Sequence, residues 1–318
     1  MHSLRHFYYQ NKEKIWKVVL IIAFLLGAIY YINYLIQNKK ESNNVETKEP
    51  TTFYANEQDN TYISDTSAIS GGKVSKEEAE NISNSISKFL QYCKNENVEQ
   101  AYNMLSNDCK ETEYETIEDF QKRYLNGKFN KNDTYEIEKW IWNTYKVSIS
   151  EDILATGNID GEKRIEYITI VKENSQDKLN INGYIGKHNI NKTTTSNDVK
   201  ITVLNKKVYM DYEEYDFSIE NLSNKTIKLD SLEKTGTMYL ESSSGSKYNA
   251  YGHELTDDDL EIKSGHTYNL SIKYANEYSD KVTIKRVVFS NVILDYPKYK
   301  LSEDTKEFKD VCELNINM

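Results

Sequence analysis

The sequence predicts a multi-domain chain: a single N-terminal transmembrane helix, an α+β unit and an all-β sandwich. Three observations carry this. Residues 18–36 are almost wholly apolar, residues 75–187 change from a helical to a strand period, and seven short β-type segments separated by turn signals follow residue 198. At 318 residues the chain suits two ordinary domains plus an anchor. With 38% hydrophobic residues and 26 tyrosines it has material for packed cores, which excludes wholesale disorder.

The first element is VVLIIAFLLGAIYYINYLI, residues 18–36, whose one clearly polar member is Asn33. At about 1.5 Å per residue this run crosses a hydrocarbon core of ~30 Å. It ends in Tyr, Asn and Leu, unlike the small residues of a cleaved signal peptide, so it reads as a retained anchor over 15–37. Trp16, Tyr30, Tyr31 and Tyr34 suit the two membrane interfaces. Arg5, Lys12, Lys14 and Lys17 precede the run, which predicts a cytoplasmic tail over 1–14, extracytoplasmic domains and a single-pass protein of the cell membrane. Residues 1–40 hold six of the 40 basic and one of the 50 acidic residues, so the remainder carries 34 against 49, a net charge of −15. That balance argues against nucleic-acid binding. Residues 38–74, polar and aperiodic, read as a flexible stalk.

Order is predicted from Ser75, where SKEE matches a capping box with Glu78 reaching back to the cap. Ala79, Ile82, Ile86, Phe89, Leu90 and Cys93 then mark one face of a helix ending near Lys94. Asn97 is the candidate cap of a second, short helix that buries Val98, Ala101, Tyr102 and Leu105. The acids of NDCKE, 107–111, fall in its exit loop. Thr116 caps a third helix, with Phe120, Tyr124 and Leu125 inward and Gly127 as its stop. From Tyr135 the period becomes two, giving a long strand or bent pair over 135–149 and further strands over 165–171 and 178–186. Helices followed by an antiparallel sheet make an α+β domain.

The helix containing FLQYCKN, the motif ENVEQAYNMLSNDCKE, the following IEDFQKRYL and the later strands resemble the NTF2-like (SnoaL-like) superfamily over 75–187. The resemblance implies a curved sheet wrapped round a helix to form a cone-shaped pocket. Residues 188–197, HNINKTTTSN, read as a linker. The segments VKITVLNKKVY, EEYDFSIENLS, KTIKLDSL, GTMYLESS, SKYNAYG, HTYNLSIKYA and KVTIKRVVFSNVILDY then give seven strands and no helix over 198–318. Their layout is similar to the Ig-like modules that follow anchors in Gram-positive bacterial envelope proteins, without the Cys, Trp, Cys framework of antibody domains.

NTF2-like domains include isomerases and dehydratases with an Asp or His base and a Tyr donor, so the resemblance permits an enzyme. No histidine lies within 75–187. Glu136, Glu138 and Glu166 are strand carboxylates of the kind that more often face solvent, and no motif brings one to a pocket. The expectation is therefore a non-enzymatic binding or scaffold protein without cofactor, its partner an envelope protein or the cell wall. Two alternatives stay open: a pocket that binds or transforms a small apolar ligand, and an anchored subunit of a conjugation or secretion apparatus. Tyr102, Tyr124, Trp140 and Trp142 are the candidate pocket residues; on a regular strand the two tryptophans share one face, an aromatic floor or plain core. Cys93, Cys109 and Cys312 have no metal-ligand spacing. A Cys93–Cys109 disulfide is allowed outside the membrane, and unpaired buried thiols are the favoured reading. HELTDDDLE, 253–261, is rich in acids but lacks the alternate ligands and central Gly of an EF-hand, so no metal is expected.

Overall fold

The structure, a computed structural model, describes residues 54–56, 60–151, 163–302 and 308–318. The expected anchor over residues 15–37 and the expected tail before it lie outside the described residues, and no helix among those described is long and apolar enough to cross a membrane. The described chain is mostly β, with three sheets and a few short helices.

Ser75 caps the first helix as predicted, accepting from the Glu78 N–H at 3.1 Å. The Glu78 carboxylate does not return to the cap, because it binds Lys139 (2.6 Å) and Tyr145 (3.2 Å) on the sheet. Helix α1 (Lys76–Ile82) continues through a π-helical turn (Ser83–Ser87) into α2 (Lys88–Lys94), burying Ala79, Ile82, Ile86, Phe89, Leu90 and Cys93. Helix α3 (Val98–Asn103) starts at Asn97 without a side-chain cap. The predicted exit loop is instead a fourth segment, α4 (Asn107–Glu113), capped by the buried Ser106 at 2.9 Å from the Cys109 N–H. Thr116 caps α5 (Ile117–Phe120), which runs into a second π-helical turn (Gln121–Leu125), and Gly127 follows with φ +75°.

These helices pack on a six-stranded sheet in the order β1 to β6: β1 (Tyr54–Asn56), β2 (Thr61–Ile63), β3 (Asp133–Lys139), β4 (Thr144–Glu151), β5 (Arg164–Glu173) and β6 (Gln176–Asn180). Of the two readings of 135–149, a long strand or a bent pair, the structure shows the pair, turning at residues 140–143. Part of the predicted stalk is built into the sheet: β2 pairs in parallel with β3, and Ile63 (4% exposed), Ser64 and Ser67 are buried. A polar stretch can join a sheet edge because backbone pairing requires no apolar side chain.

Residues 188–197 are not a linker. Residues 188–196 lie in β7 (Tyr184–Ser196), which pairs along its length with β8 (Val199–Tyr209), and Asn197 sits in the turn between the two strands. A four-stranded sheet, β14 (Thr267–Tyr274), β9 (Glu213–Asn221), β8, β7, faces a second sheet. The second contains β12 (Lys247–Asn249), β11 (Met238–Ser242), β15 (Ile284–Ile293), β10 (Ile227–Lys228) and β13 (Glu261–Ile262), with β16 (Val311–Asn317) also on β15. Ile201, Val203, Phe217, Ile219 and Ile272 of one sheet share a core with Leu240, Val287, Phe289, Leu314 and Ile316 of the other, the signature of a two-sheet sandwich. Helices α6 (Asp257–Leu260) and α7 (Tyr296–Lys300), a 3-10 turn at Gly252–Glu254 and strand β16 correct the seven-strand, helix-free expectation.

Candidate functional site

The four candidate pocket residues do not converge. Tyr124 is 2% exposed and stacks on Phe120 (5.4 Å between ring centres), with Phe89, Tyr114 and Phe129 around it. Tyr102 is half-buried at the outer side of this cluster, donating to the Tyr114 carbonyl at 2.9 Å beneath the Lys110 ammonium. Trp140 and Trp142 share no strand face, because both fall in the β3–β4 turn. Trp140 lies edge-on to Tyr167, whereas Trp142 is 69% exposed. Phe89, Tyr114, Phe120, Tyr124 and Phe129 pack as one aromatic cluster in the core between helices and sheet.

Both helical cysteines are free and buried. Burial raises the Cys93 thiol well above its usual pKa and pushes Cys109 up to about 12, so neither is a nucleophile at neutral pH.

A concave site lies elsewhere, at the seam between the α+β unit and the sandwich. It is a cleft of about 440 Å³ walled by Glu113, Glu166, Tyr167, Tyr209, Asp211 and Tyr212. Four elements build it. Helix α4 brings Glu113, which accepts from the Tyr209 hydroxyl at 2.6 Å, and Asp108, which accepts from the Tyr184 hydroxyl at 2.7 Å and the Lys187 N–H at 3.1 Å. The β6–β7 turn places Asn182 and Gly183 at φ +59° and +71°, and the Gly183 carbonyl accepts from the Met210 N–H at 2.9 Å. The β8–β9 turn supplies Met210, Asp211 and Tyr212, with Tyr212 stacked on Tyr209 at 4.4 Å.

Strand β5 contributes Glu166, and here the sequence reading needs correction. Its neighbours Glu136 and Glu138 are partly exposed and paired with Lys163 and Lys146, as strand carboxylates commonly are. Glu166 is 4% exposed, bound by the Lys128 ammonium and the Asn182 N–H. Burial raises its pKa, and Lys128 opposes the shift. The loop carrying Lys128 is fixed in turn: Arg164 donates to the Lys128 carbonyl and to Asp133 at 2.8 Å.

Both Glu166 carboxylate oxygens are engaged, by the Lys128 ammonium and the Asn182 N–H, and no histidine lines the cleft. Three carboxylates and no cation line it, so it would repel anions and accept neutral or cationic groups. The Asn182–Gly183 pair was the missed signal: Asn-Gly is a turn dipeptide, and it ends β6 where the sequence reading carried a strand through. Among the described residues no cluster of three or more metal-ligating side chains occurs, and the acids of 253–261 include Glu254, Asp257 and Glu261, paired with Lys273, Lys228 and Lys300. Compared with known proteins, the chain matches no family model and has no significant match among curated proteins or solved structures.

Proposed function

We propose that this chain is a non-enzymatic binding or scaffold protein of a bacterial cell envelope, anchored through residues 18–36 with its N-terminus in the cytoplasm. In this reading the helical and six-stranded unit is an NTF2-like domain and the sandwich an Ig-like one, both displayed outside the membrane. The observation that carries the reading is the filled interior of the first unit. Phe89, Phe120, Tyr114 and Tyr124 are each no more than 2% exposed in the space where an NTF2-like catalyst or carrier needs a cavity. The seam supports a scaffold as well: Asp108 and Glu113 of α4 accept hydrogen bonds from Tyr184, Lys187 and Tyr209, linking the helical unit to β7 and β8.

Protease added to intact cells tests the placement. Digestion of everything beyond Lys40, with residues 1–36 retained in the membrane fraction, is the expected result; protection of the whole chain would overturn it. Thermal-shift screening with small apolar ligands tests the non-catalytic half. A saturable rise in melting temperature abolished by Phe120→Ala would overturn the filled-interior argument.

A further inference from the structure

The β3–β4 turn holds the least expected side chain of the described surface. Trp142 adopts φ +54°, in the left-handed region that favours glycine, and its ring is 69% exposed. The turn is tight: the Trp140 N–H donates to the Thr144 carbonyl at 2.9 Å and the Thr144 N–H to the Ile141 carbonyl at 2.8 Å. A bulky residue here carries backbone strain and buries little in return, the combination expected of a functional side chain. Beside it the Ala68 N–H donates to the Lys139 carbonyl at 2.9 Å, which brings Ile69, itself 54% exposed, to the same end of the sheet.

The register shows where the chain joins this sheet. Tyr54 opens β1 opposite Ile63, and Ile63 pairs with Ile137 in β3. From Ile137, β3 runs on to Lys139 and the Trp142 turn. Tyr54 therefore stands at the end of the sheet that carries Trp142, within about 20 Å of it at ordinary strand spacings. Seventeen residues, 37–53, separate Tyr54 from the end of the apolar run at Ile36. That length spans no more than about 60 Å fully extended.

We infer that the Trp142 turn, with Ile69, docks on the headgroup region of the bilayer that holds the apolar run of residues 18–36. The inference rests on the reading of that run as a membrane anchor. Tryptophan is the side chain best suited to this boundary, where its ring meets acyl chains and its N–H stays hydrated. Lys139 and Lys146 at this end are paired, with Glu78 at 2.6 Å and with Glu138 at 3.6 Å, so the Trp142 ring and Ile69 rather than these two lysines carry the contact. Glu77 lines a shallow hollow with Asn143 and keeps insertion at headgroup depth, since a carboxylate resists deeper burial. Docking would set the orientation of both units relative to the membrane.

The full chain in vesicles of phosphatidylcholine with phosphatidylglycerol tests this, because it has only three tryptophans, at 16, 140 and 142. Trp16→Phe with Trp140→Phe leaves Trp142 as sole emitter, and acyl-brominated phosphatidylcholine should quench it at least about twofold, as expected of an indole at the acyl boundary. Trp140→Phe with Trp142→Phe leaves Trp16, which reports the anchor. If Trp140→Phe unfolds the chain, the same quantity is read by comparing Trp16→Phe with and without Trp142→Phe. Quenching of both emitters is the expected result. Quenched Trp16 with unaffected Trp142 would overturn docking and leave the anchor standing, whereas quenching of neither would overturn both. Trp142 shielded from aqueous acrylamide but untouched by brominated lipid would reveal a protein contact, a second copy included, and so would also overturn the inference.

Discussion

Glu166 illustrates how one side chain departs from its apparent pattern. On strand β5 it occupies an inward position 4% exposed, and its charge is tolerated because Lys128 and the Asn182 N–H reach it. Its folded pKa is raised above 4.5, so the folded state holds this proton more tightly than the unfolded one. Its contribution to stability is therefore largest below pH 4.5 and falls as pH rises through the folded value. Urea titrations across pH should show Glu166→Gln gaining on the parent upward from pH 4.5 and level with it below; a constant difference would contradict burial as the cause. Trp142 makes the complementary case. Trp142→Gly relieves a positive φ and sacrifices a ring already 69% exposed, so urea denaturation should show a gain of about 1 kcal/mol. Tyr124 is different again, its buried hydroxyl lacking a hydrogen-bond partner, and Tyr124→Phe should be neutral or stabilising by up to about 1 kcal/mol in the same assay.

At the scale of elements, helix α4 decides the most. Asn, Asp, Lys, Thr and Glu make NDCKETE read as loop, yet the segment is helical because Ser106 caps it and Cys109 is buried at 0% exposure. The Ser106 hydroxyl also donates to Asn180, tying the helix to β6. Ser106→Ala removes the cap and strands the Asn180 oxygen in a dry place, so a loss of about 2 kcal/mol is expected by urea denaturation. Helices α1 and α5 were legible in advance because their signals are local: Ser75 and Thr116 three residues ahead of the N–H groups they cap, followed by apolar residues at helical spacing. The β3–β4 turn was legible only as one of two alternatives, since WIW can continue a strand or bend it, and the antiparallel pairing of β3 with β4 decides for the reversal. Trp140 and Trp142 were misplaced for that reason, and Glu166 because nothing near it in sequence announces Lys128, 38 residues away.

Over the whole molecule, strand β7 replaces a linker with a shared structural member. Its first residue, Tyr184, belongs to the core of the helical unit together with Tyr209 from the far end of β8, while the rest of β7 extends the sandwich. Folding of either part therefore supports the other. Scanning calorimetry should give one transition whose calorimetric and van't Hoff enthalpies agree; two resolved peaks would restore the picture of independent domains on a linker.

Sequence alone determined that helices capped at Ser75 and Thr116 precede strands β3 to β6 and that a β-rich region follows, with β9 alternating inward Tyr215, Phe217 and Ile219 with outward polar residues. Such periodicities and caps are properties of neighbouring residues, so they survive without knowledge of the fold. Tertiary structure alone decided that the first unit is filled, that Glu166 is buried, that residues 61–63 and 188–196 are strands, and that the chain joins its sheet beside Trp142. Each of these depends on a partner distant in sequence, and a polar segment takes its conformation from the backbone groups it meets rather than from its own side chains.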